Sequence, residues 1–336
     1  MRARVGVVLS APPSRSPVRE YAFELALCVH LEETTDWVVA RQLGGSVASP
    51  GGRIVDVVGL VPGPGFDRRA AVTAATIPPL ALESDVGVGT SVRPERAFSC
   101  SSSVARRVAD RAVEVGFFEA DHRGGHRVVR RAVRYPEDWF AELVAIENKP
   151  DLGSPGDLEA QLRTDVSLAL FDRVVLATES YVTRAHLNRI PEGVGVWRFD
   201  PEDGVKEVVR EPDSLSTAAT GVEPVDAQPL RTDVEFVAPD EKARVRRRVA
   251  ERAYGKGWRP EPPGCTHATV TADGRPYCAR FDRVVDPGTD CGEGCSAFEA
   301  ADPPAADRAA HRADRTPWVR DPDGVARRQT GLDHFS

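Results

Sequence analysis

The stretch Val144-Ala145-Ile146-Glu147-Asn148-Lys149-Pro150-Asp151 constrains the fold of this chain more than any other. An apolar run this short, closed by polar residues and a proline, reads as a strand buried on at least one side, its polar end opening at a sheet edge. Residues i and i+2 of a strand share a face, so Glu147 and Lys149 emerge side by side. A carboxylate binds a hard cation, and an adjacent ammonium holds or polarises a water. Lysine is scarce here: Lys149, Lys206, Lys242 and Lys256 are the only ones among 44 basic residues. The plain alternative is an ion pair on an edge strand, and the rest of the chain has to decide.

At 336 residues there is room for a sizeable core and two domains. A hydrophobic fraction of 41% and a mean hydropathy of -0.32 describe a water-soluble protein. The net charge of -7 argues against a nonspecific polyanion binder, so a nucleic-acid surface has to be a local basic patch. No apolar stretch is long enough to span a bilayer, and a cytoplasmic location is the default expectation. Residues 1–17 read as a leader or a first strand.

Val18 to Glu33 reads as a helix with a mostly apolar body. Asp36 to Leu43 and Arg53 to Val61 read as strands, the second carrying Asp56 inside a β-branched run. A buried strand acid needs a partner or an ion. From Ser91 to Tyr135 ten arginines face five acids, against a chain of -7. There Ser101 to Val115 reads as a serine-capped helix, and Asp121 to Val133 as two short strands around Arg123-Gly124-Gly125. A helix followed by an arginine-bearing hairpin looks like half of a winged helix; the alternative is an insertion packed on the main domain. Arg106, Arg107, Arg111, Arg123 and Arg127 are its candidate nucleic-acid contacts. Asp157 to Phe171 reads as a helix with Leu158, Leu162, Val166 and Leu170 on one stripe, and Asp172 to Thr178 and Gly195 to Asp200 as the last strands.

A helix glutamate (Glu24), a strand acid (Asp56), E-x-K on the next long strand (Glu147, Lys149) and a helix bearing Gln161 resemble, in that order, the PD-(D/E)XK nuclease superfamily, with its Holliday-junction resolvases and RecB-like enzymes. The resemblance covers about Val18 to Asp200 without the basic insertion. Aspartate at 165 stands where the RecB-like Q-x-x-x-Y helix has tyrosine, and the gap between Asp56 and Glu147 is long. The overall pattern also resembles haloarchaeal proteins of no assigned activity. The resemblance implies an α/β fold: a restriction-endonuclease-like core, a mixed sheet flanked by helices, over 18–90 and 136–200, interrupted by the winged-helix-like insertion 91–135. It implies a metal-dependent deoxyribonuclease in which Asp56 and Glu147 hold Mg2+ or Mn2+, with the Asn148 carbonyl as a further ligand. Lys149 orients the attacking water, Glu24 positions the metal or binds a second one, and Gln161 contacts phosphate or water. Glu20 rivals Glu24, and Glu83 and Asp85 rival Asp56. His186 and Arg184 could touch the nucleic-acid backbone, though a surface role suits them. A noncatalytic DNA-binding or regulatory protein on the same scaffold is the other reading, and a homodimer is an expectation by analogy.

Residues 201–238 read as an acidic linker and 239–297 as a basic helix (candidate contacts Arg246 and Arg247) with a metal module. Cys265, Cys278, Cys291 and Cys295 form C-x12-C-x12-C-x3-C, which suits Zn2+ or, alternatively, an iron–sulfur cluster. His267 could replace one cysteine, and four unliganded thiols are the bland alternative. Cys28 and Cys100 read as core or loop residues. The tail 298–336 is expected to be partly disordered.

Overall fold

The computed structural model describes residues 17–324 apart from position 229. Nearly all of the expected leader and the end of the tail lie outside these residues. Helix α1 (Pro17–Thr34) leads into the hairpin β1 (Val38–Gly44) and β2 (Ile54–Pro62). Short helices α2 (Phe66–Ala70), α3 (Pro79–Leu82) and α4 (Pro94–Ala97) precede α5 (Ser102–Glu114) and the hairpin β3 (Phe118–Arg123) and β4 (His126–Arg131). Then come β5 (Phe140–Asn148), α6 (Leu158–Leu168), β6 (Arg173–Thr178), α7 (Arg184–Leu187), β7 (Gly195–Asp200) and β8 (Val205–Arg210). A hairpin of β9 (Gly221–Gln228) and β10 (Arg231–Val237) is followed by α8 (Pro239–Lys256). The small strands β11 (Ala268–Val270), β12 (Pro276–Cys278) and β13 (Arg283–Val284) and helix α9 (Arg308–Ala313) end the chain's described part.

Six strands form one mixed sheet in the order β1-β2-β5-β6-β7-β8. β2 pairs antiparallel with β1 and β5, β6 runs parallel to both β5 and β7, and β8 is antiparallel to β7. The unbroken apolar run of β5 follows from burial on both faces: Leu143 and Ala145 enter one core, Val144 and Ile146 the other. Burying one such aliphatic side chain is worth about 1.5–3 kcal/mol. Helix α1 covers the second face with Phe23, Leu25, Leu27 and Leu31. Being apolar nearly all round, it is also covered outside, where Trp258 packs and Arg259 holds Glu32 through two hydrogen bonds of 3.1 and 2.6 Å. The first face is covered by α6 (Leu162, Leu168) and α8 (Val249, Ala250, Ala253, Tyr254).

Three expectations change. The stretch 201–238 is not a linker but carries β8, β9 and β10, with Ser167 Oγ on α6 donating to Val222 O at 2.8 Å. Its strands are largely exposed and mix charged with apolar residues, so no apolar alternation marks them. The basic helix α8 belongs to the core: its arginines hide a stripe at Val249, Ala250, Ala253 and Tyr254. Part of the tail also packs, since Trp318 donates to Ala74 O at 3.1 Å and stacks on the buried Arg312. The insertion has its helix and hairpin, and Ala105, Ala109, Phe117, Phe118 and Val129 join the main core.

Candidate functional site

The β2–β5 register sets Val57 against Ile146 and Val58 against Ala145, so one step further Asp56 stands opposite Glu147. The backbone N–H of Asn148 donates to Asp56 Oδ2 at 2.9 Å and ties the two strand ends together. Arg53, just before β2, reaches across: its Nη2 lies 2.7 Å from Glu147 Oε2 and 2.7 Å from Asp165 Oδ2 on α6, and its Nε lies 3.1 Å from Asp165 Oδ1. Arg53, Glu147 and Asp165 are all buried. Burial, and next the charge of Asp56, push the Glu147 carboxyl up to about 7, Arg53 only partly opposing them. Asp56 and Asp165 are raised as well, burial first. Arg53 is itself held more firmly protonated by Asp165 and Glu147, against burial. Three carboxyls share one guanidinium, so ionising all of them would leave two negative charges uncompensated, and the raised values reflect that.

On the α1 side, Glu24 is engaged by Arg41 Nε and by Gln42 Nε2 at 3.3 and 3.4 Å, and Gln42 also reaches Asp56 Oδ1 at 3.3 Å. Gln42 bridges the two acids from a left-handed backbone (φ 55), and Lys256 Nζ secures that kink through the carbonyls of Arg41 and Gln42 at 2.8 and 3.0 Å. Lys149 follows the end of β5, and its Nζ donates to Glu20 Oε1 at 2.9 Å, not to Asp56 or Glu147. Glu20 is close enough for its charge to raise Asp56, so of the two α1 acids it is the one that links Lys149 to the carboxylate pair. Both ends of the buried Asn148 amide lack a hydrogen-bond partner among the described residues. Gln161 lies one turn before Asp165 on α6 and is half-buried. Glu83 is taken by Arg248 at 2.5 and 2.6 Å, away from this edge. Asp85 lies in the same connection before α4, whereas Asp56 is on the central sheet. His186 and Arg184 sit on α7, where Thr183 and His186 cap each other. A cavity of about 860 Å3 lies elsewhere, between α1 and the β7–β8 turn, and none of the carboxylate-site residues lines it.

Sequence reading missed Arg53, Asp165 and Gln42 as members of this site. Asp165 left one trace, a charged residue one turn from Leu162 and Leu168 on the buried face of α6. The arginines split unevenly. Arg106, Arg111, Arg123 and Arg127 pair with Glu95, Glu114, Asp121 and Asp110, whereas Arg107 is exposed and unpaired among the described residues. Arg246 is turned inward to Leu170 O and Asp172 and is not presented to a partner, and Arg247 approaches Glu137 at 3.8 Å.

Among the described residues no group of three or more His, Cys, Asp and Glu side chains stands in a metal-holding arrangement. For the Asp56–Glu147 pair the hard oxygen donors and the shortage of positive charge around three buried carboxyls nevertheless fit a divalent cation. The four cysteines of the C-terminal segment are free thiols. The Cys291 thiol is pushed up to about 11 by burial, then by Asp290, and then by Cys265, Cys278 and Cys295. No helix among the described residues is long and apolar enough to cross a membrane.

Residues 38–300, most of the chain, match the profile of a family described as a family of unknown function (DUF5787). No curated protein matches the sequence, and no solved structure matches it.

Proposed function

The chain belongs to this family of unknown function, and on that premise we propose that it is a divalent-cation-dependent nuclease of the PD-(D/E)XK type, acting on DNA. The observation that carries the reading is the buried charge imbalance at the β2–β5 edge: Asp56, Glu147 and Asp165 against Arg53 alone. Asp56 and Glu147 are the residues that would hold Mg2+ or Mn2+, which when bound supplies Lewis acidity toward a phosphoryl oxygen. Asn148, the next residue along β5, is the further oxygen ligand of this reading. Arg53, fixed by Asp165, holds the Glu147 carboxylate in one orientation.

Hydrolysis adds a water oxygen to phosphorus, breaks the bond to the leaving oxygen and moves the water's proton away. In this reading Lys149 and Glu20, which are hydrogen-bonded to each other, serve the water. Their ion pair is partly exposed, with side chains 25% and 55% accessible. Such a pair is worth about 0–1 kcal/mol, so a phosphate can draw Lys149 away from Glu20 at little cost. The ammonium then offsets charge at the phosphorus, and Glu20 remains as acceptor for the water. The insertion 91–135 and helix α8 flank the core in this reading, and the insertion's helix and hairpin serve as a winged-helix-like DNA-binding element.

One observation favours a second reading. The Arg53 guanidinium already rests on Glu147, as a permanent substitute for a cation in a noncatalytic DNA-binding protein would. Mn2+-dependent cleavage of labelled DNA separates the two. The nuclease predicts cleavage that Lys149→Ala and Glu147→Ala each reduce by about 100-fold or more, with circular dichroism unchanged. DNA binding without cleavage, indifferent to Lys149→Ala, would establish the noncatalytic protein instead.

Zn2+ on Cys265, Cys278, Cys291 and Cys295 belongs to the same proposal, with an iron–sulfur cluster as the alternative. It is supported by the way the three other cysteines act together on the Cys291 thiol. Elemental analysis finding neither zinc nor iron in purified protein would remove it.

A further inference from the structure

The basic insertion holds a second site. Between 91 and 135 ten arginines face five acids, an excess of +5. All five acids are spent on arginines: Glu95 on Arg106 (2.9 Å), Asp110 on Arg127, Glu114 on Arg111 (2.6 Å), Glu119 on Arg130 (2.7 Å) and Asp121 on Arg123 (3.7 Å). Arg131 is used internally, donating to Leu82 O and Ser84 O at 2.8 and 2.7 Å over the Phe117 ring. The remaining charge therefore sits on Arg93, Arg96, Arg107 and Arg134, all exposed and none in an ion pair among the described residues, although the charge of Arg93 also reaches Glu95. Two of them, Arg93 and Arg96, line a groove of about 430 Å3 between α4, α5 and β4, together with Arg106, Arg127 and His126. Its one acid, Glu95, is already bound to Arg106.

We propose that this groove binds the phosphodiester backbone of a nucleic-acid strand. Guanidinium groups match phosphate oxygens two at a time, and a chain of net charge -7 repels a polyanion everywhere except at such a local excess. No Phe, Tyr or Trp lines the groove, whose polar lining is mostly guanidinium, so the contact is chiefly to the backbone. The choice of nucleic acid over another polyanion rests on the nuclease reading; the site itself does not. The residues that carry the binding are Arg93 and Arg96, neither of which the arginine-rich helix or hairpin pattern singles out.

The test is fluorescence anisotropy of labelled single-stranded and duplex DNA with the full chain in a chelator, which prevents cleavage. R93E/R96E should raise Kd by about tenfold or more. For the duplex it should also flatten the slope of log K against log salt by about 2, one unit for each lost phosphate contact. Arg231→Glu, on the exposed β10 hairpin, controls for net charge and should change little. If R93E/R96E fails to fold, Arg96→Ser alone is read the same way, with about half the change in slope. Binding within twofold of wild type overturns the site, and so does an equal loss in Arg231→Glu. Competition by polyglutamate as effective as that by DNA overturns the choice of nucleic acid. Failure of the nuclease reading looks different: no cleavage in Mn2+, with the R93E/R96E binding defect intact.

Discussion

Glu147 concentrates the energetics of the carboxylate edge. In the folded chain its carboxyl titrates near 7 against an ordinary 4.5, because burial and Asp56 outweigh Arg53. Between those values the folded state keeps a proton that the unfolded state has released. Stability of the cation-free protein therefore falls as pH rises through this window. Asp56, Asp165 and Glu24 are raised too and act with the same sign. Glu147→Gln keeps an acceptor for Arg53 and removes the titration, so its urea midpoint should depend less on pH between 4.5 and 7 and exceed that of wild type above 7. Parallel midpoint curves for the two proteins would mean that Glu147 is ionised normally. The same proton opposes a cation, so Mn2+ affinity measured by calorimetry should climb with pH to about 7 and then level off. The sequence made Asp56 and Glu147 legible because each is an acid inside a β-branched or aliphatic run. It did not make Arg53 legible. Its partners lie 94 and 112 residues away, and only the β2–β5 register and the seat of α6 bring them together.

At the scale of elements, α8 is where composition misled most. Five arginines hid a helix whose Glu251 is fully buried and receives Arg69 Nε and Nη2 at 2.6 Å each, Tyr135 Oη–H at 2.9 Å and Ile77 N–H at 3.0 Å. Arg69 in turn donates to Thr73 O and Ala75 O and stacks over Tyr254, so the network is satisfied at both ends. Glu251→Ala leaves a guanidinium buried without its counter-charge and should cost about 3–5 kcal/mol in denaturant unfolding. Replacing both partners by apolar residues, as R69M/E251L, should recover most of that loss, because the expense lies in the stranded charge. A single variant within about 1 kcal/mol of wild type would mean that water reaches the pair. Helix α1 and strands β1, β2, β5, β6 and β7 were readable because each carries its own apolar period or run. Strands β8, β9 and β10 were not, since β8 and β10 are largely exposed and apolar residues at exposed positions, such as Val205 and Phe236, break the alternation.

For the molecule as a whole, the question is whether the carboxylate cluster at the ends of the interior strands β2 and β5 is completed by a cation or by Arg53 alone. Ionising all three buried carboxyls costs the fold stability, and a divalent ion that binds only the folded chain returns stability as RT ln(1 + [L]/Kd). At a hundredfold excess over Kd this is about 2.7 kcal/mol. Wild type should therefore melt at a higher temperature in Mn2+ than in chelator, with the gain larger above pH 7, where Glu147 is ionised. The Asp56→Asn and Glu147→Gln variants should lose that gain. Lys149→Ala should keep it, because its ammonium is tied to Glu20 and does not enter the carboxylate pair. Such a separation, cation-dependent stability retained with cleavage lost, is specific to a hydrolytic site in which the lysine acts on water and phosphate. If Mn2+ leaves the wild-type melting temperature unmoved, Arg53 is the sole counter-charge and the hydrolytic reading fails in favour of the noncatalytic one.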